Sequence, residues 1–291
     1  MTYSIPSDIT KVDVDGDGKV DRLYVGDIAG RMWRFDIKDT NPSNWTGKII
    51  FKSNPDGQTT NLRKIFYPPD VTFELDDSGA SKGNYELLIF GTGDREHPND
   101  KIIVNRLYAL KDRNLQDKNP QTAYTESDLA DVTTDLLQTG TADEITDTRN
   151  QLKTTSGWFV QLLPSDSGEK CLAPPVVFYK TAYFTTFGPS PDAPPAGQDP
   201  CYVGEGVAKL YLLGYKTANA IFNLDLTNDT GGTVISKTDR SATIGTAIPS
   251  GVIITFIGGT AVAYTGVGGG VYIPQLASTK SLLPLNWRIV F

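Results

Sequence analysis

The chain has 291 residues, 39% hydrophobic and 21% charged, which is a globular composition long enough to bury a sizeable core. Its 34 acidic residues outnumber 27 basic ones, giving a net charge of −7. That balance argues against nucleic acid or an anionic membrane surface as the main partner, and one histidine with two cysteines is too few for most zinc, haem or iron–sulfur designs.

Residues 1–10 lack the basic start and apolar run of a signal peptide, so the chain reads as cytosolic or as a mature or truncated piece of something longer. The first motif follows at once: Asp13-Val14-Asp15-Gly16-Asp17-Gly18-Lys19-Val20-Asp21. Carboxylates fall at positions 1, 3, 5 and 9 and glycine at position 6. Calcium takes 6–8 oxygen ligands at about 2.3–2.6 Å, and a loop with alternate residues turned inward supplies them. The expected ligands are Asp13, Asp15, Asp17, the Lys19 carbonyl and Asp21. Position 12, which carries the closing Glu in an EF-hand, is Tyr24, and the flanks read as strands, so Asp21 must close the shell. Four carboxylates this close repel one another without a cation, and Lys11, Lys19 and Arg22 soften that only from outside. Magnesium suits the loop less, because its tight octahedron disfavours so many protein ligands. Whether the ion is a switch or a static clip stays open.

Most apolar runs beyond the loop are short, β-branched or aromatic, and end in Gly, Pro, Asn or Asp. They predict strands at 23–27, 32–37, 48–52, 85–91, 107–111, 158–163, 176–179, 182–187, 210–215 and 271–274. Ile28-Ala29-Gly30 closes the first hairpin. A degenerate repeat runs through these strands: Arg22-Leu23-Tyr24, Arg31-Met32-Trp33, Arg106-Leu107-Tyr108 and Lys209-Leu210-Tyr211. One strand type used in successive sheets predicts a mainly all-β fold, a β-propeller, with a plain sandwich as the alternative. The chain reads as one domain, 1–291.

Five further stretches are informative. Asp76-Asp77-Ser78-Gly79 reads as a solvated turn, and Gly91-Thr92-Gly93-Asp94-Arg95-Glu96-His97-Pro98 as a structural corner, with a surface or binding loop and then a catalytic role as the alternatives; no helix follows its Gly-x-Gly, so it is no dinucleotide fingerprint. Residues 125–152 predict two short helices inserted between strands, with Leu129, Val132 and Leu136 on one face and capping boxes at Thr125/Asp128 and Thr141/Glu144. Cys171 and Cys201 bracket a proline-rich loop over 189–200 and suggest a disulfide, with two buried thiols as the alternative. Residues 241–279 hold no charge, yet glycines break them into runs such as Ile253–Ile257 and Ala261–Thr265, which predicts buried strands with a Gly258-Gly259 hairpin and no membrane span.

The run from Lys11 to Ile37 resembles the C-terminal propeller of the PilY/PilC family of type IV pilus tip-associated proteins. So do Phe90-Gly91-Thr92-Gly93-Asp94, Gly168-Glu169-Lys170 with Pro174-Pro175-Val176-Val177, Ala182–Phe187 and the closing segment Ser278–Phe291 with Trp287. The resemblance implies a quinoprotein-like propeller, here a partial one of about four blades with a short helical insertion at 125–152. It implies Ca²⁺ as the control ion, held by Asp13, Asp15, Asp17, Lys19 and Asp21. It also implies a pilus-associated, cell-surface or periplasmic role in pilus extension, retraction or tip adhesion. Pilin or a minor-pilin assembly would be the partner, with host or surface ligands as further ones. No catalytic role is implied. Two alternatives share the fold: a general calcium-dependent adhesin for glycans or matrix, and a quinone-cofactor dehydrogenase. The second fits poorly, because its adjacent-cysteine ring has no counterpart in cysteines this far apart.

Overall fold

A computed structural model describes residues 2–75, 83–113, 122–164, 167–189, 205–229 and 232–274. The short runs fold into four sheets, taken in order along the chain. The first is an antiparallel meander of β1 (Thr10–Val12), β2 (Arg22–Gly26), β3 (Arg31–Asp36) and β4 (Thr46–Lys52). Gly30 closes the β2–β3 turn at φ +71°, where an added Cβ would collide with Ser53 Oγ and the Arg63 carbonyl.

The second sheet takes β5 (Asp70–Glu74), β6 (Tyr85–Gly91), β7 (Arg106–Asp112), β8 (Ala130–Asp131) and, after the helices α1 (Leu136–Thr139) and α2 (Ala142–Thr154), β9 (Gly157–Gln161). Its order is β5-β6-β7-β9-β8, with β8 parallel to β9. The third holds β10 (Lys170–Cys171), β11 (Val176–Phe178), β12 (Thr181–Gly188), β13 (Val207–Gly214) and β14 (Ser241–Gly245), with β10 and β11 both on β12. The fourth is β15 (Ile253–Ile257), β16 (Thr260–Val267) and β17 (Gly270–Tyr272), turning at Gly258-Gly259 and Gly268-Gly269 with positive φ throughout. The described part of the uncharged stretch, 241–274, holds four strands joined by turns. β15 is largely exposed and not buried as expected, because among the described residues only one face of the last sheet has a neighbour to pack on. Among the described residues no helix is long and apolar enough to cross a membrane.

Alternation along β6 explains how the sheets stack. Leu88 and Phe90 point to the first sheet and join Tyr24, Met32, Phe51 and Tyr108. Leu87 and Ile89 point the other way, into a second core with Trp158, Phe184 and Leu213. A third core joins the third sheet to the fourth through Tyr183, Leu210, Leu212, Ala261 and Ala263. Each sheet is therefore packed face to face on the next, and the described sheets do not close into a ring. The far face of the fourth sheet carries Ile253, Ile257 and Val271, which are all exposed.

The repeated base-x-Tyr pattern has a common structural job. Residues i and i+2 share a strand face, and in three sheets the base and the phenol reach one carboxylate. Arg22 (2.7 Å) and Tyr24 (2.5 Å) reach Glu86. Arg106 (3.2 Å) and Tyr108 (2.5 Å) reach Glu126. Lys209 and Tyr211, both at 2.8 Å, reach Glu169. All three tyrosines are buried, and that burial pushes each phenol well above its ordinary pKa.

Between 125 and 152 the helix is shorter than the sequence pattern predicts. Thr125 and Asp128 do form a capping box, but it opens only a single 3-10 turn. Leu129 and Val132 then run extended, and Ala130–Asp131 pair with Trp158 and Phe159 instead of winding on. Burial in two different cores wins over local periodicity here. Regular helix begins only at Leu136, with the single turn of α1 ending at Gly140, and Thr141 and Glu144 form their box at the start of α2.

Cys171 is a buried thiol, pushed up to about 12 by desolvation, and donates to the Ala173 carbonyl at 3.4 Å. Cys201, the 190–200 part of the proline-rich loop, the Asp76–Gly79 turn and the 278–291 segment lie outside the described residues.

Asp70 ties the second sheet to the third by accepting from the Val177 amide at 2.6 Å. Burial raises its pKa from 3.8 to about 6, against the lowering effect of its backbone hydrogen bonds. The folded protein then holds a proton that the unfolded chain releases, so this group's contribution to stability falls as pH rises from about 4 to about 6. Asp70→Asn is expected to flatten the Tm-versus-pH profile across that window. An unchanged slope would show that Asp70 is not the group responsible.

Candidate metal centre

The loop Asp13–Asp21 joins two strands that pair antiparallel up to Val12 opposite Arg22. It is closed at its neck by the Asp21 amide donating to the Val12 carbonyl at 2.9 Å. Within it the chain wraps around Asp13, whose Oδ1 accepts from the Gly16 amide (2.6 Å) and Oδ2 from the Gly18 amide (2.8 Å). Both glycines stand at positive φ, +78° and +86°, which a residue with a Cβ rarely adopts. Asp21 is the buried member, 6% exposed; its Oδ2 accepts from the Val14 amide at 2.9 Å, and its carbonyl accepts from the Ile37 amide at 2.8 Å.

Of the sequence-predicted ligands, Asp13, Asp15 and Asp21 come together, with one carboxylate oxygen from each lying within 4.8 Å of the other two. Two oxygens on opposite sides of a calcium ion lie about 5 Å apart, given bonds of about 2.3–2.6 Å. An all-oxygen, all-anionic donor set at that span fits a hard divalent cation. Asp17 lies outside the group. Its Oδ1 accepts from the Lys19 amide and its Oδ2 pairs with the Lys19 ammonium, both at 2.8 Å, and these bonds hold its carboxyl below the usual range. Lys19 thus turns its side chain to Asp17.

The residue that sequence reasoning missed is Lys38. Its ammonium lies 2.5 Å from Asp15 Oδ2 and 3.9 Å from Asp21 Oδ2. That hydrogen bond holds Asp15 below its ordinary pKa. Arg22, next in sequence to Asp21, points the other way. It joins Arg34, Asp36, Glu86, Asp112 and Tyr24 in a buried network between the first two sheets. One backbone step therefore links the acidic loop to an inter-sheet ion cluster.

The corner at 91–98 is held from several sides. Lys64 lies 2.6 Å from Asp94 and 3.4 Å from Glu96, His97 Nδ1 lies 3.0 Å from the same Asp94 oxygen, and Arg95 donates to the Leu172 carbonyl at 3.2 Å. Asp94, Glu96 and His97 are a second set of possible ligands, with Lys64 reaching both carboxylates as Lys38 reaches Asp15 and Asp21 in the first.

No family model matches the chain. Over 207 residues, 65% of the chain, it is 24% identical to a protein of Xylella fastidiosa (strain Temecula1) described as a type IV pilus biogenesis factor PilY1 homolog. Among solved structures it superposes on the Pseudomonas aeruginosa PilY1 C-terminal domain with a TM-score of 0.57, covering 91% of this chain at 15% identity. The chain resembles a PilY1 C-terminal domain. The superposition shows the fold: mostly β and propeller-like, with the described sheets left open. The chain spans 60% of that solved domain, and its match is 13% of the Xylella PilY1 homolog's length.

Proposed function

We propose that the chain is a calcium-binding, propeller-like module of a type IV pilus biogenesis factor, acting at the cell surface or in the periplasm by binding partners. The observation that carries this reading is the convergence of Asp13, Asp15 and Asp21 in a chain similar to PilY1 in both sequence and fold. The two relatives are named for pilus biogenesis and for PilY1, and neither name describes an enzyme.

Asp13, Asp15 and Asp21 would hold the ion, with the Lys19 carbonyl and Asp17 completing the shell once Asp17 leaves the Lys19 ammonium. A bound calcium ion supplies positive charge that offsets the mutual repulsion of the carboxylates. Asp21 carries the effect inward, since its carbonyl holds the Ile37 amide at the end of β3 and its neighbour Arg22 sits in the inter-sheet network. The ordered loop and hairpin then form the face that engages pilin or a minor-pilin assembly. In a bacterium carrying the full-length protein, Asp21→Asn is expected to alter piliation or surface motility. Wild-type behaviour of both would leave the ion a static clip and overturn the regulatory role.

Lys38 competes for the same carboxylates as a tethered cation. Lys38→Met is expected to bind calcium several-fold tighter than the wild type in calorimetry. Equal or weaker binding would show that the ammonium supports the loop instead of competing with the ion.

A further inference from the structure

A two-residue hairpin turn with positive φ at both central residues is cheap for glycine and asparagine, because neither meets the clash that a larger side chain meets there. The fourth sheet follows that rule twice, at Gly258-Gly259 and Gly268-Gly269. The third sheet breaks it. Phe178 pairs with Thr181, so Tyr179 and Lys180 are the whole turn between β11 and β12, and they stand at φ +47° and +66°. In that region the Cβ crowds the following carbonyl, and bulky residues seldom occupy it.

These two side chains do not pack the protein's own interior. Tyr179 is 50% exposed, and Lys180 is exposed as well. Among the described residues neither the Tyr179 hydroxyl nor the Lys180 ammonium has a hydrogen-bond or ion-pair partner. The backbone beneath them is nonetheless fixed. Phe178 is 6% exposed and meets Phe256 of β15 edge-on, with ring centres 6.2 Å apart. The Lys180 carbonyl accepts from the Tyr215 amide at 3.2 Å. A strained turn on a rigid support, with both functional ends turned outward, is shaped for something outside the chain.

We propose that the Tyr179-Lys180 tip is a contact point for a protein partner that presents a carboxylate beside an apolar patch. The phenol ring supplies rigid apolar area and its hydroxyl a donor, the combination that makes tyrosine common at interface hot spots. The ammonium pairs with the acid. On a chain of net charge −7, a cation raised at a tip draws in an acidic partner that the body repels. The inference rests on the pilus reading above, and it adds a second contact on the third sheet to the acidic loop of the first.

The test is co-sedimentation of the full chain with purified type IV pilus fibres in millimolar calcium, beside thermal unfolding of the same proteins. Tyr179→Asn/Lys180→Gly gives the turn the residues its φ angles favour. It is expected to raise Tm by a few degrees and to weaken fibre binding at least tenfold. Lys180→Gln is expected to leave Tm unchanged and to weaken binding several-fold, with less dependence on salt. Fibre binding by the double variant equal to the wild type would overturn the tip and leave the pilus reading standing. No binding by the wild type would overturn both. A lower Tm in the double variant would show that the two residues support the fold, and would also overturn the site.

Discussion

Arg34→Met is expected to lower stability by about 3–5 kcal/mol, the usual effect of removing one partner from a buried ion pair. Arg34 is 1% exposed and is held by Asp112 at 2.8 Å and Asp36 at 2.7 Å. Methionine keeps much of the volume, so the loss comes from Asp112 losing its ion pair with Arg34, while Asp36 keeps Arg22 at 3.0 Å. Asp112 and Glu86 both remain against the Tyr24 hydroxyl, at 2.7 and 2.5 Å, with only Arg22 still paired to Glu86. Denaturant unfolding checks the magnitude, and Tm is expected to fall on the order of 10 °C. Arg34→Met/Asp112→Asn should recover part of the loss, because neutralising Asp112 removes the penalty of burying its charge without the Arg34 ion pair. A single variant as stable as the wild type would mean that water reaches the cluster and that the network does not join the two sheets.

The second large effect concerns calcium and stability together. A ligand that binds only the folded form stabilises it by RT ln(1 + [L]/Kd), about 2.7 kcal/mol at a hundredfold excess. The wild type is expected to gain that much, with magnesium giving little of it. Asp21→Asn is expected to gain almost nothing. Asparagine can still accept from the Val14 amide, so the loop neck survives, but the buried charge at the base of the cluster is gone. Equal stabilisation of both proteins would remove Asp21 from the ligand set.

Much of this was legible in the residues. Short β-branched runs ending in glycine give strands wherever they occur, and Tyr85–Gly91 matches its strand residue for residue. The base-x-Tyr repeat marked equivalent strands, though the carboxylates it meets are set by sheet stacking and have no fixed spacing: Glu86 is 62 residues from Tyr24, and Glu126 only 18 from Tyr108. Lys38 was within reach of register counting. A hairpin turning at Ile28-Ala29-Gly30 that sets Arg22 opposite Asp36 puts residue 38 beside the acidic loop. The short strands Thr10–Val12, Ala130–Asp131 and Lys170–Cys171 were not legible, because two or three residues carry no period and exist only through their partners. The helix expected from Leu129 failed for the same reason: Trp158 and Phe159 offered those residues a strand to pair with.

The most direct measurement is a crystal grown in millimolar calcium, with anomalous scattering used to find the ion. One peak is expected among Asp13, Asp15 and Asp21, with metal–oxygen distances of about 2.3–2.6 Å and the Lys38 ammonium displaced outward. A loop holding the lysine in place with no peak between those carboxylates would contradict it.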